Sequence, residues 1–524
     1  MSEAALRTSN PAVPWLILGA CMIIGILNET SNSVISLGIG DAARDVHASA
    51  PVAQLTLLLA KLVMGALLVA AGGIGDRFGR KRVMLIGLGV VGGACLLSMG
   101  ARDAAMLAAS RALDGLGSAM IAPLALAISV MVFPEEMRAR VVGIFLAVNG
   151  FGVAIGPILV GFAIELGGWR EAFLVPVAIA LLGGIVIARR VPPIPPAQGV
   201  RLDVMGMALC VVGLAGLVIG LMQVGGGKFL EPRALAPLAV GIAGLAGFAW
   251  WELRMSAAPL VPTAILTSGE ILLLLAVMLV AAMVVSGTMV PMLYYLQRVG
   301  GLTPIGAVFH LSPLIAGAVV VGPLSGGLAN AVGRKPVVVA GLALMAGGSA
   351  IMAFLTPSMS YPAMVGALVL LGGGMMAVAT PAADAVLATS GEGQTGAAAA
   401  VNSAVLQVGG AIGLGAIVSV FIHAALRTFH DRLIALGYGE EAIRGPGREL
   451  IAALRDSAVT HVPRLPHIPA EMQADMLDAY SHAFAAGVGR SFTVSALLCL
   501  AAFALILFAL PGRRRNPAAM PERE

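Results

Sequence analysis

Residues 72–82 read Gly72-Gly73-Ile74-Gly75-Asp76-Arg77-Phe78-Gly79-Arg80-Lys81-Arg82, a short and strongly basic stretch between two long apolar runs. The run before it, 51–72, contains one charge, Lys61, and the run after it, 83–101, contains none. At about 1.5 Å of rise per residue each run is long enough to cross a hydrocarbon layer about 30 Å thick. The stretch therefore reads as a charged turn between two membrane-spanning helices, with glycine where the chain reverses. A second copy follows later: Gly326-Gly327-Leu328-Ala329-Asn330-Ala331-Val332-Gly333-Arg334-Lys335. The glycines and the basic pair keep their offsets, and the acid is weakened to Asn330.

Composition extends this reading to the whole chain. Of 524 residues 59% are hydrophobic and 11% charged, and mean hydropathy is +0.96. A soluble domain carries roughly 25% charge, so this much apolar surface has no aqueous solution. Disorder is excluded by the hydropathy and a disulfide scaffold by four cysteines that all lie in apolar runs. The runs are continuous rather than alternating, which excludes a transmembrane β-barrel. The net charge of +5 is read as a record of topology, with no nucleic-acid partner.

Fourteen stretches qualify as spans: 13–37, 51–72, 83–101, 104–132, 139–164, 171–189, 204–225, 233–251, 271–295, 303–329, 337–355, 361–388, 396–426 and 490–510. The first contains Asn28 and Glu29 and is too long for a signal peptide. With the N-terminus inside, seventeen Lys and Arg fall on inner segments and six on short outer loops. That bias places both termini in the cytoplasm and the chain in the cell (inner) membrane. Two equal halves of six spans would put the second basic turn after span 8. It follows span 10, so two extra spans sit between the halves. The expected division is 1–192, a six-helix bundle; 193–262, a Pro-rich linker with the two extra spans; and 263–524, a second six-helix bundle. The last includes a long outer segment, 427–489, with apolar and charged residues at helical spacing over 449–455 and 470–485.

The turn Gly72, Asp76, Arg77, Gly79, Arg80 and Lys81 closely resembles motif A of the major facilitator superfamily. Further signatures follow in order. Span 4 carries Arg111-Ala112-Leu113-Asp114-Gly115-Leu116-Gly117, similar to motif B but with Asp114 where a glutamine is usual. Span 5 carries Gly152, Gly156, Pro157 and Gly161, similar to the antiporter motif C; physically, these glycines allow close helix approach and the proline bends the span. Trp169-Arg170, Tyr294-Tyr295-Leu296-Gln297 and Gln407-Val408-Gly409-Gly410 extend the likeness over most of residues 15–420. Together they resemble the fourteen-span drug:proton antiporters of the EmrB/QacA-like group. That group usually has an aspartate in span 1, where this chain has Glu29 within Asn28-Glu29-Thr30.

The resemblance implies an all-α polytopic fold of two six-helix bundles plus two central spans, with parallel repeats around a central site. It implies proton-coupled efflux of small amphipathic or hydrophobic compounds, no enzymatic activity and no cofactor. The motif acid Asp76 would act as a gate element against the start of span 13, Gln394 to Ala398. No competing motif stands. Gly225-Gly226-Gly227-Lys228 lacks the Ser or Thr of a phosphate loop, Gly87-Leu88-Gly89-Val90-Val91-Gly92 lies inside a span, and the histidines lack metal-ligand spacing.

Ionisable residues inside spans are costly and mark function by default. Glu29, Lys61 and Asp114 all lie roughly 12–15 Å below the outer boundary by the rise of a helix, and Arg111 is one turn from Asp114. Burial favours a neutral acid while Arg111 favours the carboxylate, so protonation of Asp114 depends on whether water reaches it. This points to Asp114, with Glu29 as alternative or second site, as proton carrier, aided by Arg111 and Lys61. Pairing of Glu29 with Lys61, or Arg111 with Asp114, for neutralisation alone is the competing reading. Asn32, Asn149, His310, Asn402 and Gln407 are candidates for a cavity lining, or else for helix–helix glue. The partners expected are a small-molecule substrate, protons and the lipid bilayer. Segment 427–489 would cap the outer mouth or dock a periplasmic adaptor. A transporter of one metabolite or lipid, and more remotely a non-transporting sensor or scaffold, are the alternatives.

Overall fold

A computed structural model describes residues 12–134, 137, 141, 145, 155–192, 203–224, 232–256, 261, 263–357, 359–389, 395–439, 450–451, 454 and 470–510. Every regular element among them is an α-helix, as a chain that must satisfy its own backbone hydrogen bonds in hydrocarbon requires. The longer helices are α1 (Ala12–Gly25), α2 (Leu27–Asp45), α3 (Ala50–Phe78), α4 (Arg80–Met99), α5 (Ala104–Met131), α6 (Ile155–Gly167), α7 (Leu174–Arg190), α8 (Val204–Val224) and α9 (Pro232–Arg254). They continue as α10 (Gly269–Arg298), α11 (Pro304–Val332), α12 (Arg334–Ala353), α13 (Tyr361–Thr389), α14 (Thr395–Ala435) and α15 (Ala470–Ala509). Among the described residues eleven helices are long and apolar enough to cross a membrane, α1 and α2 counting as one. Shorter apolar runs, 55–65, 155–167 and 204–217, lie in α3, α6 and α8.

The helix pairings repeat. α5 packs on α3 and α4, α4 on α7, and α1 on α5 and α7. Around the second basic turn, α13 packs on α11 and α12, α12 on α15, and α10 on α13 and α15. Across the seam α3 lies against α14, and Gly161 of α6 approaches Ile305 of α11 so closely that an added methyl would lie 3.4 Å from its Cα.

Both basic turns have the same construction. Gly79 (φ 92°) and Gly333 (φ 98°) adopt the left-handed region that L side chains avoid. Lys81 Nζ then donates to the carbonyls of Ala188 (2.8 Å) and Val191 at the end of α7. Lys335 Nζ donates likewise to Leu507 (2.9 Å) and Leu510 (2.6 Å) at the end of α15. Each lysine caps free carbonyls at the negative end of a helix dipole. On the opposite face Arg170 Nη1 does the same for α4, donating to Met99 O (2.7 Å) and Ala101 O (2.9 Å), while Trp169 Nε1 donates to Asp45 (3.0 Å).

α8 and α9 form a tight pair whose backbones touch along small residues: a methyl on Gly216 or Gly241 would overlap the facing chain. α8 also packs on both α3 and α14, so the pair sits over the seam. Its base is tied by Asp203, which accepts from Trp251 Nε1 (2.9 Å), Ser256 Oγ (2.6 Å) and Gly206 N (2.7 Å). Burial works against ionisation of the Asp203 carboxyl, but the bonds from Ser256, Gly206 and Trp251 prevail and hold it below the usual carboxylate range.

Segment 427–489, expected to be partly helical, is helical at both of its ends. α14 runs on to Ala435 and α15 begins at Ala470, not at 490. At 41 and 40 residues each is about 60 Å long, twice the hydrocarbon thickness. The reason is packing: Phe429, Leu433, Met476, Tyr480 and Phe484 are all buried beyond the expected span ends. Arg432 pairs with Asp478 at 3.0 Å, and Tyr438 OH donates to Asp475 at 2.7 Å. The expected helix at 470–485 lies within α15, and most of 449–455 lies outside the described residues. Span 1 likewise extends through Asp45.

Gly79→Ala forces a side chain into a left-handed turn and is expected to cost about 1–2 kcal/mol, read as a lower thermal midpoint in detergent. Gly89→Ala, inside α4 with open space around it, is expected to cause no loss.

Candidate functional site

The polar centre is built where α2 crosses α5. Span 1 runs on through Ile26, which keeps helical backbone angles (φ −81°, ψ −7°), and from Leu27 the chain presents Asn28, Ser31 and Asn32 at i, i+3 and i+4, one face of α2. α5 starts from an Asp103 cap, whose side chain accepts from Met106 N at 2.8 Å. Its own polar face is Arg111, Asp114 and Ser118.

Arg111 and Asp114 are each 1% exposed and form an ion pair through Nη2 and Oδ2. Ser31 of α2 bridges both, donating to Asp114 Oδ2 (3.1 Å) and accepting from Arg111 Nη2 (3.1 Å). Arg111 Nη1 lies 3.4 Å from Ser31 O, and its guanidinium stands 5.8 Å over the Phe173 ring. Cys95 of α4 lies 3.7 Å from Ser31 Oγ. The second carboxylate oxygen, Asp114 Oδ1, is buried and has no hydrogen-bond partner among the described residues. Buried polar atoms ordinarily have hydrogen-bond partners, so this open acceptor singles out Asp114.

Glu29 and Lys61, a pair weighed from sequence, are not joined by an ion pair among the described residues. Glu29 Oε1 instead accepts from Asn28 Nδ2 at 3.2 Å, and Asn32 Nδ2 donates to Asn28 O and Oδ1 at 2.9 Å each. Two glycines of the recognised motifs set the backbone around them. Gly156 of α6 lies against Glu29, where a methyl would be 3.2 Å from its carbonyl carbon; Pro157 follows it in the same helix. Gly115 of α5 packs on Ala60, beside Lys61, with no room for a Cβ.

The remaining candidates lie apart. His310 Nδ1 is bonded to Gly306 O (2.9 Å) and its ring meets Tyr361 at 4.6 Å between centroids, tilted by 58°. Asn402 donates to Ala383 O (3.4 Å), and its Oδ1 is buried without a partner among the described residues. Gln407 packs its Cβ at Gly65 of α3, on the seam. In the basic turn Arg77 stands over Phe78, and Arg80 reaches Met131 at the end of α5. Asn149, Gly152, Gln394 and the side chain of Asp76 lie outside the described residues, and so does the proposed gate contact.

Sequence reasoning missed Ser31, Cys95 and Phe173 as the neighbours of Arg111. Only the i, i+3, i+4 polar face of span 1 pointed to Ser31; nothing in the sequence pointed to the other two, which come from α4 and the turn before α7. Arg111→Met is expected to destabilise the protein by about 3–5 kcal/mol because it strands Asp114 in a buried site. The double variant with Asp114→Leu is expected to recover much of that loss in thermal midpoint.

The sequence profile of the Major Facilitator Superfamily matches residues 21–414. The tetracenomycin C resistance and export protein of Streptomyces glaucescens is 27% identical over 94% of this chain and 91% of its own. The multidrug efflux pump LfrA of Mycolicibacterium smegmatis is 25% identical over 95% and 97%. In structure, a bacterial homologue of the human lysosomal transporter Spinster, in an inward-facing and unoccupied conformation, shares the fold with a TM-score of 0.63 at 17% identity, covering 95% of this chain and 97% of that one. The chain is therefore a multi-pass membrane transporter, not an enzyme, and belongs to the Major Facilitator Superfamily.

Proposed function

We propose that this transporter exports small amphipathic or hydrophobic compounds in exchange for protons, as a fourteen-span antiporter of the EmrB/QacA-like group. One observation carries the reading: an acid buried to 1% at the crossing of α2 and α5, ion-paired on one oxygen and without a partner on the other among the described residues. Relatives named for export and efflux of toxic compounds support the direction. The chain divides into bundles 1–192 and 263–524 with an accessory pair within 193–262. It lies in the inner membrane with both termini and the basic turns on the cytoplasmic side. The extensions of α14 and α15 cap the outer mouth, and an adaptor docked there is the alternative role for 427–489.

Asp114 takes a proton from outside and releases it inward, with Glu29 as second site. Arg111 balances the carboxylate once the proton has left, so the empty carrier crosses the low-dielectric centre without a bare charge. One inward charge contributes about 2.3 kcal/mol per 100 mV, and each pH unit adds roughly 1.4 kcal/mol. One proton thus sustains a large gradient of a neutral substrate.

Asp114→Asn mimics the protonated acid. It is expected to retain substrate binding and exchange while losing pH-driven uphill efflux in everted vesicles. Uphill efflux at the normal rate in that variant assigns the carrier elsewhere, and Glu29→Gln in the same assay decides whether Glu29 holds the role.

A further inference from the structure

α2 carries four hydroxyl side chains, and three of them serve their own helix. Thr30 Oγ1 donates to Leu27 O (2.8 Å), Ser33 Oγ to Glu29 O (2.6 Å) and Ser36 Oγ to Asn32 O (3.0 Å). This is the ordinary recourse of Ser and Thr in a helix, where a carbonyl lies within reach three or four residues back. Ser31 departs from it. Its side chain is fully buried, and its hydroxyl reaches across to α5.

A hydroxyl has one proton to give and two lone pairs. The proton goes to Asp114 Oδ2 (3.1 Å), because an ionised carboxylate can only accept; Cys95 Sγ, at 3.7 Å, is a weaker acceptor. The lone pairs face Arg111, whose Nη2 and Nη1 donate at 3.1 and 3.3 Å. A hydroxyl that accepts from a cation is polarised, which strengthens its own donation to the carboxylate. Oδ2 thus receives two donors of different origin. The Arg111 contact lies within α5 and travels with Asp114, whereas the Ser31 contact comes from α2 and holds only while α2 stands against α5.

A hydrogen bond to an ionised group is stronger than the same bond to its neutral form. We propose that Ser31 is the positioning residue for proton release: its hydroxyl, supplied by α2, stabilises the carboxylate that remains on α5 once the proton has gone. The inference rests on Asp114 as carrier. On release the acid O–H bond breaks, its electron pair stays on the carboxylate, and the proton goes to water. The other titratable groups that the surrounding helices carry at mid-span are Glu29 (α2), Lys61 (α3), Cys95 (α4) and Cys21 (α1). Those of α6 and α7 lie at helix ends, Glu165 and Arg189 with Arg190.

The test follows the carboxylic acid band of Asp114 by infrared spectroscopy across pH, on the full-length protein in liposomes, the band being identified by its loss in Asp114→Asn. Ser31→Ala removes a single oxygen and is expected to move the midpoint of that band upward by about one pH unit, a tenfold gain in proton affinity. Uphill efflux is expected to need a cytoplasmic-side pH higher by the same interval. Ser31→Thr, which restores the hydroxyl, is expected to return the midpoint. Ser33→Ala, the same deletion at a hydroxyl that bonds its own helix, is expected to leave it in place. An unmoved midpoint in Ser31→Ala overturns the inference, and so does an equal shift in Ser33→Ala, which marks a general loosening of α2. If Asp114→Asn removes no titrating band and still drives uphill efflux, the carrier assignment itself falls; if the band is lost there but its midpoint ignores Ser31, Ser31 alone is refuted.

Discussion

A guanidinium and a carboxylate buried together between α2 and α5 govern the first half of this molecule. Moving either ion alone out of water costs several kcal/mol even after the protein relaxes, so each is tolerable only with its partner and its hydrogen bonds in place. Those bonds come from elsewhere in the chain: Ser31 from α2 bridges both ions, Cys95 of α4 touches Ser31, and Phe173 lies under the guanidinium. The pair thus specifies how α2, α4, α5 and the approach to α7 meet. What it leaves unfilled, one carboxylate oxygen, is the chemical opening on which the proposed coupling depends.

Around that pair the architecture relies on backbone-to-backbone approach. Between helices in lipid there is no hydrophobic drive, so packing must come from close contact, and small residues supply it. Gly115 seats α5 on α3, Gly156 seats α6 on Glu29, and Gly216 and Gly241 join α8 to α9. The accessory pair touches both α3 and α14 and covers the seam between the repeated sets of helices. The two basic turns give the repeats their matching ends, each with a left-handed glycine and a lysine that caps the last helix of its own set.

Beyond the hydrocarbon, α14 and α15 continue as paired helices. Phe429 and Leu433 bury against the face of Met476, Tyr480 and Phe484, while Arg432 and Tyr438 meet Asp478 and Asp475 at the rim. The interaction has the ordinary form of soluble helix packing, with apolar residues inside and ion pairs outside. A segment expected to be partly helical thereby begins and ends as the continuation of two long helices.

Sequence alone determined that the chain is a helical membrane protein, that it contains a repeat, and that Glu29, Lys61, Arg111 and Asp114 are its exceptional residues. These conclusions follow from hydropathy, glycine at turns and the cost of charge in lipid, which act locally along the chain. The Lys81 and Lys335 caps, the Ser31 bridge, the separation of Glu29 from Lys61, and the place of His310 beside Tyr361 were decided by tertiary structure. Each depends on which helix stands opposite and at what height. Spacing within one helix records a face but not its neighbour, and a rotation or shift of a single turn brings different atoms into contact. The small space between span 1 and α5 is the clearest case: Gly25 and Ser118 are far apart in the chain, and only the packing of the two helices brings them to one space.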